Sequence, residues 1–220
     1  MHVTETGSID FEALQKDPEL LETAVFEVAT APPLETLSPE EQLVFSINGY
    51  NALAMYLAVT SDLKPEQKVR FFLLTTLPFA QEHVSLWHLE NRIIRPMNEP
   101  RIHFALNCMV KDCPRLPMTP FTLVELESQL EAATFEFLNS PQHVRYDAEG
   151  NIVHLSRILK WYRKDFGPEE DDLLTYVNRY RHKPIPEDAR IKWLPYDWSL
   201  NQTEQPGRST RLQSSGSLQP

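Results

Sequence analysis

The sequence predicts a helix-rich α+β domain with a central buried helix, a small mainly antiparallel sheet and a disordered C-terminal tail. Three observations carry that prediction. Ser38 to about Val59 joins a full helix-start signal to apolar residues on almost every side; the runs that read as strands are short and do not alternate regularly with helices; and from Gln202 onward aliphatic residues nearly vanish. With 220 residues, 41% of them apolar, the chain can bury one sizeable core. It divides into an N-terminal helical part over 1–37, the main domain over 38–201 and the tail over 202–220.

Asp17-Pro18 pairs an N-cap with a proline at the first helical position, ahead of Leu20, Leu21, Ala24, Val25 and Val28 at helical spacing. Ser38-Pro39-Glu40-Glu41 adds a capping-box acid to the same signal and opens the central helix, where Leu43, Phe45, Ile47, Leu53, Met55, Leu57 and Val59 spread around the axis. A shorter helix is expected from Pro65. Another follows the Ser85 cap, with Leu86, Leu89 and Ile93 inward, and ends at Arg95-Pro96. From Arg101 to Asn107, Ile102, Phe104 and Leu106 alternate with His103, Ala105 and Asn107, the period of a half-buried strand leading into Cys108.

Thr122-Leu123-Val124-Glu125 is a second capping box, ahead of Leu126, Leu130, Ala133 and Phe137. Val144 to Tyr146 and Ile152 to Leu155 flank Asp147 to Asn151 as a β-hairpin with Gly150 at the left-handed position. Ser156 caps a helix running through Trp161 and Tyr162 to Phe166, where Gly167 stops it. A further helix is expected from Pro168 to about Arg181, and Ile191 to Tyr196 reads as a last strand. Tyr196 to Asn201 is aromatic and polar together, as expected of a segment that docks the chain end on the body, with Trp198 buried and Asp197 capping a turn.

Charge narrows the function. Lys and Arg number 21 against 31 Asp and Glu, a formal charge of −10 with no basic run, so binding to nucleic acid or to an anionic membrane surface is disfavoured. Of six glycines only Gly49, Gly150 and Gly167 lie away from the ends, so neither a P-loop nor a dinucleotide fingerprint can be written. Acids crowd the first thirty residues in place of a signal sequence, and no apolar run nears the roughly 18 residues of a membrane span. The expectation is a soluble cytoplasmic protein with reduced thiols, no cofactor, no bound metal, and a protein or small molecule as its unidentified partner.

Arg101 to Pro114 is the densest reactive cluster, holding His103, Cys108 and Cys113. A cysteine attacks carbon as its thiolate, which needs a lowered pKa, and His103 is the base at hand for Cys108 if the chain turns after Asn107. The alternative is that both cysteines are small buried side chains and His103 a hydrogen-bonded core residue. A dithiol switch, or zinc held by the two cysteines with His103 and His154, are further readings of the same residues. Asn48 and Asn51 lie three apart on the apolar helix and must find partners: the backbone of a neighbouring loop, or a pocket shared with Cys108. Glu90, Arg95, Asp165 and Asp197 are candidate ion-pair partners.

Ile47-Asn48-Gly49-Tyr50-Asn51-Ala52-Leu53, Ser85-Leu86 with Leu89-Glu90 and Ile94-Arg95, Arg101 to Pro114, Trp161-Tyr162 with Asp165-Phe166, and Tyr196 to Asn201 together resemble the signature blocks of the DUF547 family, in order and spacing, over about Ser38 to Asn201. The resemblance brings no settled activity. It implies an intracellular or exported module, in some members joined to glutaredoxin-like domains. Its signature polar positions fall on Asn48, Asn51, Glu90, Arg95, His103, Asn107, Cys108, Cys113, Asp165, Asp197 and Asn201. Five positions depart from the pattern: Ser46 where tryptophan is common, Gln81-Glu82 for a glycine pair, Met109 for glycine and Asp112 for serine. The glycine lost beside Cys108 removes backbone freedom, and an acid beside Cys113 opposes a thiolate.

The function expected from the sequence is a cysteine-dependent hydrolase or acyl transferase, with Cys108 and His103 as catalytic residues and Asn48, Asn51, Asn107 and Arg95 as binding residues. A non-catalytic protein-interaction module, or a thiol redox or zinc-binding domain, are the alternatives.

Overall fold

A computed structural model describes residues 2–61, 67, 69–167, 169 and 172–203. The helices are α1 (Phe11–Lys16), α2 (Glu19–Thr30), α3 (Pro39–Thr60), α4 (Leu86–His88), α5 (Leu126–Asn139), α6 (Arg157–Trp161) and α7 (Asp172–Arg179). The strands are β1 (Thr76–Phe79), β2 (Glu82–Ser85), β3 (Val144–Asp147), β4 (Ile152–Leu155) and β5 (Arg190–Trp193). The fold is helix-rich α+β, as its sequence predicts.

The α3 start forms as a reciprocal box: the Glu41 amide donates to Ser38 Oγ at 3.3 Å and the Ser38 amide to the Glu41 carboxylate at 2.8 Å. Leu43, Ile47, Leu53 and Leu57 on this helix are buried, and α1, α2 and the segment from α4 onward pack around it. Its mean hydropathy of 1.3 over an 18-residue window meets the length and composition of a membrane span, contrary to the expectation above. Here that apolar surface faces other protein elements, with 61% of the window buried.

Two apolar clusters form the interior. One surrounds α3 and takes in Phe79, Leu86, Ile94 and Ile102; the other joins Phe104, Phe137, Val153, Leu159 and Val177 around β3, β4 and β5. In the second sheet β3 pairs antiparallel with β4, as expected, but β5 pairs parallel with β4, in the register Leu155↔Trp193. Asn151, at φ 47°, holds the left-handed position in that hairpin instead of Gly150. At Gly150 a Cβ would lie 2.8 Å from an Asp147 carboxylate oxygen and 3.1 Å from Ile152 Cδ1, the movable ends of two side chains.

Arg101 to Asn107 is not a strand. Pro100–Phe104 forms a tight helical turn whose cap, Glu99, accepts the Arg101 amide at 3.0 Å. Ile102, His103 and Phe104 are all buried, so the apolar alternation reflects enclosure on every side and not a half-buried sheet face. Three other boundaries shift. Asp17 ends α1 instead of capping α2, which starts at Glu19, the helix begun by Ser85 passes Arg95-Pro96 as a tight turn ending at Met97, and α6 gives way after Trp161 to a separate turn over Arg163–Asp165. α1 and the β1–β2 hairpin were not legible. That hairpin turns on Ala80 and Gln81, at φ 47° and 68°. The expected helix starts at Pro65 and Pro168 and the tail from 204 lie outside the described residues, whereas Val69–Leu74 is helical and Thr203 is tied to Ile9 by a 3.0 Å backbone bond.

His143 is buried and stacks on Phe137, with ring centroids 3.9 Å apart. Burial pulls its pKa down to about 4, against the weaker pull of Asp112 and Glu136. The unfolded chain therefore binds a proton here between pH 6.5 and 4 that the folded chain does not, so stability falls as pH drops through that window, by about 3 kcal/mol. His143→Phe should flatten the stability–pH curve between those limits, as read by urea melts at several pH values.

Candidate functional site

Asparagine amides build the site's frame. Asn51 donates to the Ala105 carbonyl at 3.0 Å and accepts the Asn107 amide at 2.8 Å. Asn107 in turn donates to the Pro114 carbonyl at 2.5 Å and accepts the Met109 amide at 2.6 Å, folding 108–114 into a loop. Asn48 grips Phe121 through both its amide and its carbonyl, at 2.9 and 2.8 Å. Of the two readings of the helical pair, loop clamping is the one these bonds describe: neither Asn48 nor Asn51 lines the cavity beside Cys108. Met109 sits buried at φ 64°, a conformation that glycine adopts without strain.

The folded loop brings Cys108 and Cys113 together, with Cα atoms 6.2 Å apart, and their sulfurs are joined in a disulfide. This replaces the reduced thiols expected from the sequence: the clamp at Asn107 closes a five-residue separation that spacing alone left open. Cys108 is half-buried and Cys113 buried. Both face the Tyr196 hydroxyl, at 3.6 Å and 3.4 Å. Burial pushes the Tyr196 phenol far above its ordinary range, so it keeps its proton at neutral pH.

His103 comes from the Pro100–Phe104 turn. Its ring stacks on Tyr162, with centroids 3.9 Å apart and planes 15° apart, and Nε2 lies 2.8 Å from an Asp165 carboxylate oxygen. Arg95 binds both oxygens of the same carboxylate at 2.7 Å, reaches Asn91 at 2.7 Å, and lies over the Tyr162 ring. Burial alone would raise the Asp165 pKa, but the hydrogen bonds from His103 and Arg95 outweigh it and hold the carboxyl well below its usual range. Arg95, expected to bind a ligand, thus engages Asp165, the ion pairing its sequence position also allowed. Burial raises the Glu90 carboxyl against hydrogen bonds from Tyr162 and Tyr50.

Cys108, Cys113, His103 and Glu90 line one cavity of about 310 Å³ where the two apolar clusters meet. Among the described residues the sulfurs bond to Tyr196 and not to His103, whose Nδ1 is the nitrogen left over from the Asp165 bond. The arrangement resembles a base held by a carboxylate beside a masked nucleophile. His154 lies on β4 between Arg145 and Lys192, and joined sulfurs offer no thiolates, so the four-ligand zinc reading loses its donors.

Trp198, expected buried, is half-buried on the cavity wall, while Asp197 does cap a turn by accepting the Ser199 amide at 2.9 Å. The sequence reading named Asp165 as a candidate ion-pair partner, which it is for Arg95 and His103, and missed Tyr162 and Tyr196 as site residues. The aromatic–acid spacing of Trp161-Tyr162 to Asp165-Phe166 was the signal available for them.

Residues 34–138 match the profile of a family described as Protein of unknown function, DUF547. No curated protein and no solved structure matches the chain. The matched stretch contains Glu90, Arg95, His103 and both cysteines, while Tyr162, Asp165 and Tyr196 lie beyond it.

Proposed function

The chain belongs to the DUF547 family through residues 34–138, and since that family has no known function, we propose from the pocket itself a cysteine-dependent hydrolase or acyl transferase. The observation that carries this reading is the 2.8 Å bond from Asp165 to His103, which lines the same cavity as Cys108. The enzyme works with the Cys108–Cys113 bond open. A dithiol supplies two electrons and two protons, becoming a disulfide as the two protein thiols form.

His103 then takes the Cys108 proton, through Nδ1, while Asp165 holds the ring. The thiolate attacks an acyl carbonyl: a carbon–sulfur bond forms and the carbonyl pair moves onto oxygen. Collapse expels the leaving group, which takes the proton from the imidazolium. Water, or another acceptor, gives its proton to His103 and cleaves the thioester, and the sulfur recovers a proton from the imidazolium. Tyr196 donates a hydrogen bond to the sulfur during these steps. This reading places the protein in the cytoplasm, where small thiols open the disulfide.

The test is acyl-enzyme trapping. After reduction, p-nitrophenyl acetate should leave one acetyl group on Cys108, located by peptide mass spectrometry, and none on Cys108→Ser. Acetylation spread evenly over lysines, with Cys108 unmodified, would overturn the proposal. The disulfide itself favours a second reading, thiol–disulfide exchange, in which a substrate thiolate attacks the more exposed Cys108 sulfur and Cys113 leaves. The reverse step tests it: in Cys113→Ser the Cys108 thiolate should attack an added disulfide, expel one of its thiols and stay trapped as a mixed disulfide.

A further inference from the structure

The chemistry above leaves open what the cavity holds. Its walls are mostly rings: Phe72, Trp87, Trp161, Tyr162, Tyr196 and Trp198. Trp161, Tyr196 and Trp198 pack on one another at centroid distances of 4.7 to 5.7 Å, which leaves no gap between them for an ammonium group. They present instead a continuous aromatic wall of rings tilted 36–57° to one another, against which the faces and edges of another ring can pack. At the mouth, large apolar side chains stay in water: Trp161 is 45% exposed, Trp87 41% and Leu73 44%. Clustered exposure of this kind marks a surface that meets an apolar ligand.

Charge decides the rest. Among the described residues no Lys or Arg lines the cavity, and Arg95 hydrogen-bonds Asp165 and Asn91. The acids at hand are Glu90 on the wall and Asp165 behind His103. Arg92 lies over the outer Trp87 ring, but among the described residues an anionic ligand seated inside would find no cation on the wall, would face the Glu90 carboxyl and would lose its hydration. A volume of about 310 Å³ is at the small end of ligand cavities and suits a group of two or three rings.

We infer that this cavity binds a planar, uncharged aromatic group, the acyl or leaving-group portion of the substrate. The inference names the substrate class of the proposed thiol enzyme and rests on that reading for its catalytic meaning, but the binding can be measured without catalysis.

Two fluorescent probes differ only in charge: N-phenylnaphthylamine is neutral, and anilinonaphthalenesulfonate is the same ring system carrying a sulfonate. Titrated into the oxidised full-length protein, the neutral probe should bind saturably with energy transfer from the pocket tryptophans, and about tenfold or more tighter than the sulfonate. Trp161→Ala should weaken the neutral probe about tenfold. Leu73→Lys, at an exposed position, should tighten the sulfonate and narrow the gap between the probes. Equal affinity for the two probes, no saturable binding of the neutral one, or indifference to both substitutions would overturn the inference. Cys108→Ser separates the two claims. Neutral-probe binding retained there, with no acyl-enzyme in the wild type, would sink the thiol reading alone; acyl-enzyme without the probe preference would sink this inference alone.

Discussion

Asn51→Ala is expected to lower stability by about 2–6 kcal/mol, because it strands two buried backbone groups at about 1–3 kcal/mol each. Those groups are the Ala105 carbonyl and the Asn107 amide, both held by the one side-chain amide. The melting temperature should fall on the order of 10 °C. Asn48→Ala removes the same number of bonds at a half-buried position, where water can take over, and should cost only about 1 kcal/mol. Chemical denaturation of the two variants side by side checks the claim. A cost for Asn51→Ala no larger than for Asn48→Ala would show that the clamp on 105–107 is not what holds the site's frame.

In the reduced protein, His103→Ala should slow acyl-enzyme formation on Cys108 about 10²- to 10⁴-fold, the usual contribution of a positioned base. Cys108→Ser should abolish it. Asp165 touches the base and not the reacting atoms, so it is a positioning residue, and Asp165→Asn should lower kcat with little change in KM. A merely structural role predicts something else: loss of melting temperature in step with activity, with KM rising as the pocket loosens. Arg95→Lys separates the two further, since a lysine keeps the charge but not the two-pronged grip on Asp165.

Much of this was legible in the sequence wherever the signal was local. The Ser38 capping box, the 144–155 hairpin and the Ser85 and Ser156 caps depend on residues within a few positions of one another, and each formed. The need of Asn48 and Asn51 for partners was equally plain, because a buried amide cannot go unpaired. What the chain hides is set by distant contacts. His103 meets Asp165 across 62 residues, and Tyr196 reaches Cys108 across 88. The Pro100–Phe104 turn showed a strand period because both of its neighbouring surfaces are apolar. The β1–β2 turn escaped notice because Ala80 and Gln81 occupy left-handed positions without the glycine that marks them. The disulfide depended on a loop fold that only the Asn107 clamp reveals.

The central claim is that Cys108, once released from Cys113, is an activated nucleophile served by His103. The rate of iodoacetamide alkylation at Cys108 in the reduced protein, followed at neutral pH against an unstructured cysteine peptide, tests it most directly. The account predicts that Cys108 reacts about tenfold or more faster than the peptide and that His103→Ala brings it back to the peptide's rate. A rate equal to the peptide's, or one that His103→Ala leaves untouched, would contradict it.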